Sequence, residues 1–479
     1  MLKMMPQRQV LQSCPMPDRT HGIQRRSFLG IGLASGLSLQ SAIQAQAAAS
    51  GHDPAAKNVL VILEQGGLSH IDTWDPKPEA VAEHRSPFQP VSTVVPGVQF
   101  TSLLSKTAEV ADRLTVIRGM HHERNGASGH PTGTQYALSG EMPGGPLEMP
   151  DIGSVAVQRS GSACSYLPPY IMVPGNHEQH RASRVGFLPA SAKVFKTAGK
   201  DLSDPKWKVN DLGLLAGIEP GRFRDRSDLL SNLNLGFAAT GAGPVDAYSS
   251  LSSQAADLLT NPLTQRAFRL DEESDPVRDR YGRGHRGQCY MLGRRLIERG
   301  VRFVTVDVRE PLTEETPGGF NMNWDHHDLM YNTGSCGTIR NKAGGEGRYG
   351  IGHWVMMGST DQAFAALITD MDQRGLLAET LVAFVTEFGR TPRLNRFQGR
   401  DHWTKAYSIV LAGAGVPGGQ ILGSTDRDGG YVQSRATKPD DYAATIYRKL
   451  GIDRTRPIYT PANRPVFLAP QGKEIGEVF

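Results

Sequence analysis

Short apolar runs alternate with amphipathic segments along most of the chain. Runs such as "NVLVIL" (58–63), "VRFVTVDV" (301–308), "LVAFVT" (381–386) and "YSIVLAGAG" (407–415) are rich in β-branched residues and predict buried strands. "DRLTVIRGM" (112–120) predicts another strand. The segments "QCYMLGRRLIERG" (288–300), "STDQAFAALITDMDQRGLLAET" (359–380) and "PDDYAATIYRKLGI" (439–452) space their apolar residues as helices do. This alternation predicts an α/β fold with a mostly parallel sheet flanked by helices.

Residues from about 186 to 275 follow a different pattern. They hold few strand signals and several polar stretches punctuated by glycine or proline, for example "KTAGKDLSDPKWKVND" (196–211). We interpret this region as a mainly helical insertion or cap on the α/β core.

The first 47 residues have the features of a twin-arginine export signal. Arg25 and Arg26 precede Phe28 and Leu29, a weakly apolar stretch, and small residues up to a cleavage point near Ala47. The alternative is a basic tail with a chance Arg-Arg pair. The stretch is too short and glycine-rich for a stable membrane span. We therefore expect 1–47 to be a signal peptide, 48–479 to be the folded domain, and the protein to be periplasmic or secreted.

Removal of residues 1–47 changes what the net charge implies. The whole chain carries a formal charge of +4, but these residues hold five basic side chains and one acidic side chain. The remaining 47 basic and 47 acidic residues balance, so nothing indicates nucleic-acid binding. Cys164, Cys289 and Cys336 remain, allow at most one internal disulfide, and do not point to cysteine chemistry.

Carboxylates and imidazoles follow at least four of the predicted strands. Glu64 follows the first strand, the loop "NWDHHD" (323–328) comes after another, and Glu387 ends "LVAFVTE" before the loop "GRDHW" (399–403). His121, His122 and Glu123 follow the strand at 112–120. Since ligands bind at the carboxyl ends of parallel strands, this inventory predicts a divalent-metal site.

Spacing adds detail to that prediction. In an extended segment Asp325 and His327 face the same way, so both can address one ion. The loop between Glu387 and His402 carries several arginines, and guanidinium groups beside a metal suit a phosphate or sulfate.

Each of these motifs also has an ordinary explanation. Glu387 can be a structural partner of Arg390 or Arg400, and the "WDHHD" loop can be a plain surface loop. Asp401 and Trp403 can simply fasten the loop 399–403. The helical spacing of His177 and His180 is weak support for a second ligand pair.

Long stretches of the chain resemble a known family of exported bacterial proteins, domain-of-unknown-function family 1501. They are "QGGLSHIDTWDPKPEA", "DPVRDRYGRGHRGQCYMLGRRLIERGVRFVTVDV", "DQAFAALITDMDQRGLLAETLVAFVTEFGRTPRLN", "GRDHWTKAYSIVLAGAGVPGGQILGSTD" and "DDYAATIYRKLGI". The resemblance implies an alkaline-phosphatase-like, sulfatase-like core. The function of the family is not established, so the resemblance addresses fold more than function.

The wider superfamily implies one or two metal ions at the carboxyl ends of the strands. Carried over by position, the ligands would be Glu64, Asp325, His327, Glu387 and His402. Three departures stand out: the first acid is Glu and not Asp, Phe388 replaces an expected His after Glu387, and Asp325 and His327 are unusually close in sequence.

The nucleophile is the least defined part of the resemblance. Sulfatase-like enzymes place a Cys or Ser two residues before a Pro, whereas "GASGHPTG" has Gly129 there. The hydroxyls nearby belong to Ser128, Thr132 and Thr134, and each is a candidate if a metal activates it.

The leading hypothesis is a metal-dependent hydrolase of phosphate or sulfate esters, with Arg390 or Arg400 holding the anion. The ion would be zinc, manganese, iron or calcium, and the substrate an anionic small molecule or a polysaccharide ester. A rival hypothesis is a non-catalytic metal- or ligand-binding scaffold that has lost the nucleophile. A third is a purely structural metal.

Overall fold

A computed structural model describes the chain outside the N-terminal segment and several internal stretches. The residues described are 55–122, 127–175, 183–198, 201–209, 212, 219, 221–223, 225–226, 228–230, 255–256, 258–308, 324–331, 335–336 and 348–479. The predicted signal peptide, His177, His180, Glu123 and much of the predicted insertion at 186–275 lie outside these residues.

An eight-stranded sheet forms the centre of the fold, with the order β8–β2–β7–β6–β1–β5–β3–β4. Its strands are β1 (Asn58–Leu63), β2 (Thr115–Met120), β3 (Tyr170–Pro174), β4 (Phe195–Lys196), β5 (Phe303–Asp307), β6 (Thr380–Val385), β7 (Tyr407–Ala412) and β8 (Gln420–Leu422). Within this sheet β7 alone runs antiparallel to its neighbours. The predicted α/β fold with a large, mostly parallel sheet is confirmed.

Helices flank this sheet, and three of those described, at His285–Glu298, Ser359–Gln373 and Pro439–Lys449, were predicted from apolar spacing. Those described are α1 (Ser105–Ala108), α2 (His130–Ser139), α3 (Ile152–Ser160), α4 (Pro262–Ala267), α5 (Asp275–Tyr281), α6 (His285–Glu298), α7 (Ser359–Gln373) and α8 (Pro439–Lys449). Single turns of 3₁₀-helix occur at Ser102–Leu104, Ala111–Arg113, Ala190–Ala192, Leu270–Glu272, Leu376–Ala378 and Gly476–Val478, with a π-turn at Trp354–Gly358. Two-residue and three-residue ribbons pair Pro90–Ser92 with Gln99–Thr101, Ser335–Cys336 with Arg348–Tyr349, Gly389–Arg390 with His402–Trp403, Ser424–Thr425 with Val432–Ser434, and Ile458–Tyr459 with Pro465–Val466.

Both faces of the sheet are buried, as the residues of β1 show. Leu60 and Ile62 pack into one apolar cluster with residues of α6 and α7, while Val59, Val61 and Leu63 pack into a second with residues of α3 and α8. Alternate side chains of a strand point to opposite faces, so a strand covered on both sides must be continuously apolar. This explains why the strands read as unbroken apolar runs.

The carboxyl ends of β1, β2, β5 and β6 meet at one edge of the sheet because these strands are parallel. Glu64, His121, Asp307 and Thr386–Glu387 therefore all lie along that edge. Among the described residues we find no helix with the length and apolarity needed to cross a bilayer.

Candidate metal centre

The candidate centre includes one fully buried carboxylate, that of Glu387. It follows β6, is fully buried, and its Oε1 accepts the backbone N–H of Gly66 at 2.8 Å. The same oxygen lies 2.6 Å from Nδ1 of His130. Burial opposes ionisation, but the hydrogen bond and the charge of His130 outweigh it and lower the pKa of Glu387. The carboxylate that ends this strand is thus satisfied by an imidazole.

His130 is the first residue of α2 and connects Glu387 to Asp325. Its Nδ1 meets Glu387, and its Nε2 lies 3.1 Å from Oδ1 of Asp325 without hydrogen-bond geometry. The ring is buried, with 9% of the side chain exposed. One imidazole therefore links two carboxylates from distant parts of the chain.

Three imidazoles converge on Asp325. Its Oδ1 lies 3.1 Å from Nε2 of His130, 3.0 Å from Nε2 of His327 and 3.2 Å from Nε2 of His402. Nε2 of His327 and Nε2 of His402 are themselves 3.0 Å apart. Of the described residues, His130, Asp325 and His402 form the one group of three or more such side chains that satisfies the spacing of metal ligands, their donor atoms all lying within 4.8 Å of one another.

The far side of each ring is held by an oxygen atom. Nδ1 of His130 meets Glu387, Nδ1 of His327 meets Oδ1 of Asp401 at 2.8 Å, and Nδ1 of His402 meets the carbonyl of Ser128 at 2.6 Å. These oxygens accept, so each Nδ1 carries a hydrogen, and in its neutral form each ring turns its Nε2 lone pair towards Asp325. Metal-binding histidines are oriented in this way.

Positive charge stabilises this cluster of lone pairs and a carboxylate, and Arg390 supplies part of it, with Nη2 at 2.6 Å from Oδ1 of Asp325. Burial alone would raise the pKa of Asp325, but Arg390 and the three imidazoles hold it well below its usual range. Burial would likewise lower the pKa of His130, but Asp325 and Glu387 raise it. A proton on His130 or a divalent ion can add further positive charge, and ion binding releases the proton.

The five predicted ligands do not all meet at one point. Asp325, His327 and His402 are brought together. Glu387 stands one contact further out and reaches the centre through His130.

Glu64 lies outside this cluster. Its Oε1 accepts from Arg286 at 2.6 Å and Tyr290 at 2.7 Å, and its Oε2 accepts from the indole of Trp324 at 2.8 Å. All four side chains are buried. We therefore leave Glu64 out of the ligand set, because a guanidinium occupies the position that an ion would need.

Neither arginine expected to bind an anion faces solvent. Arg390 is fully buried and donates to the carbonyls of Gly66, Gly67 and Arg400, and its Nη2 meets Asp325 at 2.6 Å. It fastens the loop after β1 to Asp325.

Arg400 is also fully buried and holds neighbouring loops together. Its guanidinium contacts Asp72 at 3.2 Å, the hydroxyl of Tyr331, and the carbonyls of His84, Thr391 and Pro392. The expectation that Arg390 or Arg400 holds a substrate anion is therefore replaced by a structural role for both.

The three candidate hydroxyls differ in their surroundings. Thr134 is buried and donates to Oε1 of Gln65 at 3.3 Å, and Thr132 donates to the carbonyl of Gly129 at 3.0 Å. Ser128 is exposed, and its carbonyl is the partner of His402. Of the three, Ser128 alone combines exposure with a direct contact to a residue of the cluster.

Comparison with known proteins gives a family but not a function. A sequence model of the family described as "Protein of unknown function (DUF1501)" matches residues 56–479. The chain belongs to the DUF1501 family. No curated protein matches it.

Several solved structures resemble this DUF1501 chain at low sequence identity. The phosphonate monoester hydrolase from Silicibacter pomeroyi is 10% identical with a TM-score of 0.36, covering 88% of this chain and 76% of its own. The phosphonate monoester hydrolase of Agrobacterium radiobacter is 12% identical with a TM-score of 0.32, over 88% and 77%. A 2-O GAG sulfatase is 13% identical with a TM-score of 0.33, over 88% and 75%.

His130 is the one residue of the DUF1501 centre that sequence reasoning missed. The signal available was a histidine directly before proline at the start of a helix, in "SGHPTG". A helix N-terminus beside predicted ligands points its first side chains at the same site.

Proposed function

We propose that this protein is a divalent-metal hydrolase of phosphate or sulfate esters, with the ion held by His130, Asp325, His327 and His402. The observation that carries the proposal is the convergence of three imidazole Nε2 atoms on one carboxylate oxygen at the carboxyl edge of the sheet. Clustered ionisable groups at such an edge are characteristic of active sites.

The donor set fits some metals better than others. Three nitrogens and one oxygen suit zinc, manganese or iron. Calcium prefers oxygen ligands throughout, so the donor set argues against it. A divalent ion here would supply Lewis-acid polarisation of the ester oxygens.

The surrounding residues suit an anionic ester. His327 and His402 keep 20% and 22% of their side chains exposed, so a substrate can reach the cluster from solvent. Helix α2 is ten residues long and begins at His130, so the positive end of its dipole lies at the centre and favours a negatively charged group. Ser128 lies two residues before the first residue of this helix and is the proposed nucleophile.

Metal analysis and a substrate panel test the proposal together. The protein without residues 1–47 is analysed by elemental mass spectrometry and assayed with aryl phosphates, phosphonates and sulfates. Asp325→Asn is compared with His84→Gln, a control histidine that pairs with Asp428 outside the cluster.

Three results are distinguishable. Metal and ester hydrolysis that are both lost in Asp325→Asn, but kept in His84→Gln, support the proposal. Bound metal without hydrolysis of any ester supports the scaffold instead. Absence of metal after reconstitution refutes the metal-dependent hydrolase and leaves a scaffold that binds another ligand.

We also propose that the protein is exported through the twin-arginine pathway, on the basis of Arg25 and Arg26. Fusion of residues 1–47 to a reporter tests this, since Arg25→Lys/Arg26→Lys should retain the reporter in the cytoplasm. Export of the double variant at the original rate would argue against it.

A further inference from the structure

Glu64 lies where a second metal ligand would be expected, yet a protein cation is already bound to it. Nη1 of Arg286 lies 2.6 Å from Oε1 of Glu64, and both side chains are fully buried. Nε of Arg286 also donates to Ser359 at 3.0 Å, which fixes the guanidinium between α6 and α7. A metal at Glu64 would face this positive charge at close range. Among the described residues Glu64, unlike Asp325, belongs to no group of side chains at metal-ligand spacing, so the residues at this position do not fit an ion.

Two further donors from the described residues also contact Glu64. The Tyr290 hydroxyl reaches Oε1, one helical turn along α6 from Arg286, and the Trp324 indole reaches Oε2 at 2.8 Å. A metal ion at this buried carboxylate would have to displace some of these three hydrogen bonds, which costs free energy. Glu64 therefore joins β1, α6 and the segment 324–328.

Trp324 immediately precedes the ligand Asp325. Its backbone N–H meets the carbonyl of Gln65 at 3.3 Å, and its indole is held by Glu64. A Cβ at Gly66 would come within 2.4 Å of the Trp324 nitrogen and 2.7 Å of the Asp325 nitrogen. The backbone at Trp324 and Asp325 thus lies directly against the loop that follows β1.

We propose that Glu64 is a positioning residue, which sets Asp325 through Trp324, and that Arg286 takes the place of a second cation, so that the centre holds one ion. The proposal rests on the proposed function for the identity of the ion, but the positioning contact exists without metal. Glu64 fixes the position of the segment that carries Asp325 and does not bind the ion itself.

The test uses Trp324→Phe, which removes the indole N–H and keeps an aromatic ring. Trp74→Phe is the matched control, since Trp74 is equally buried but its indole nitrogen has no hydrogen-bond partner among the residues that the structure describes. Both variants lose similar apolar volume, so a purely structural effect should appear in both.

The first readout is hydrogen exchange of metal-free protein in the segment 324–331. We expect faster exchange in Trp324→Phe and no change there in Trp74→Phe. Equal protection in the two variants would overturn the positioning role, whether or not the protein binds metal.

The second readout is calorimetric titration with Zn²⁺ and with Mn²⁺. We expect one ion per chain in the wild type, and an affinity lower by about tenfold or more in Trp324→Phe but not in Trp74→Phe. Two ions per chain, one of them lost in Glu64→Gln, would overturn the assignment of Arg286. Failure of the hydrolase proposal alone would leave exchange and stoichiometry as described.

Discussion

Nε2 of His327 and Nε2 of His402 lie 3.0 Å apart, and both rings have their Nδ1 held by an oxygen acceptor. Two lone pairs at this distance repel unless a proton or a metal ion lies between them or beside them. The distance between these two nitrogen atoms therefore depends on whether a proton or a metal ion occupies the centre.

The melting temperature of the protein should rise when zinc or manganese is added. Binding to the folded state alone stabilises it by about 2.7 kcal/mol at a free ion concentration of a hundred times Kd. His402→Ala should lose this response, because it removes one donor, and His84→Gln should keep it. Differential scanning calorimetry measures the shift, and an unchanged response in His402→Ala would place the ion elsewhere.

Among the three hydroxyls, we expect Ser128 to be the one required for ester hydrolysis. Ser128→Ala should lower kcat by roughly a thousandfold or more, as loss of a nucleophile does. Thr132→Ala and Thr134→Val should stay within a few-fold, because those hydroxyls donate to Gly129 and Gln65 inside the protein. A large kcat loss in Thr134→Val with normal stability would reassign the nucleophile.

The Glu64–Arg286 pair should show strong coupling in unfolding experiments. Glu64→Gln removes the carboxylate that pairs with the buried guanidinium of Arg286 and should cost about 3–5 kcal/mol. Glu64→Gln/Arg286→Met removes both charges and should cost less than Glu64→Gln alone. Urea denaturation of the wild type, both single variants and the double variant gives the coupling energy, and strict additivity would contradict the ion pair.

How far the sequence predicts this molecule depends on the kind of feature. Apolar runs locate the strands because their periodicity is a local property. The helices between successive strands favour parallel pairing, which brings Glu387, Asp325 and His402 to one edge. The partner of Glu64 cannot be predicted from local sequence. Arg286 lies on α6, and the apolar spacing of that helix does not indicate a partner at the end of β1.

The arginines illustrate the same limit. A sequence shows that Arg390 and Arg400 are near the predicted ligands, but not that their donors are turned inward to backbone carbonyls. His130 was missed for a related reason, since its role depends on where α2 begins relative to β6.

His122 should make the fold sensitive to mild acid. It lies between the rings of Tyr136 and Tyr407, and its Nε2 donates to the carbonyl of Glu387 at 3.2 Å. Burial lowers its pKa from 6.5 to about 4, with His121, Lys405 and Asp440 as the nearby charges. The unfolded chain then binds the proton more readily, so stability is complete above pH 6.5 and falls as the pH drops towards 4.

The matched experiment compares unfolding free energies at pH 7 and pH 4.5. The loss assigned to His122 is at most about 3 kcal/mol, from about 1.4 kcal/mol for each unit of pKa. His122→Gln keeps a donor but does not titrate, so its stability should depend less steeply on pH over this interval. An equal slope in wild type and variant would assign the acid sensitivity to other groups.

The proposed ligands come from the start of α2, from the loop at 324–328 and from the ribbon after β6, which are distant in sequence. Their atoms can meet only after β1, β2, β5, β6 and β7 have assembled, since these strands bring the three segments to one edge. Such long-range contacts form late on a folding pathway. An ion at the centre would therefore lower the unfolding rate and leave the folding rate nearly unchanged. It would lengthen the lifetime of the folded state without helping the chain to reach it.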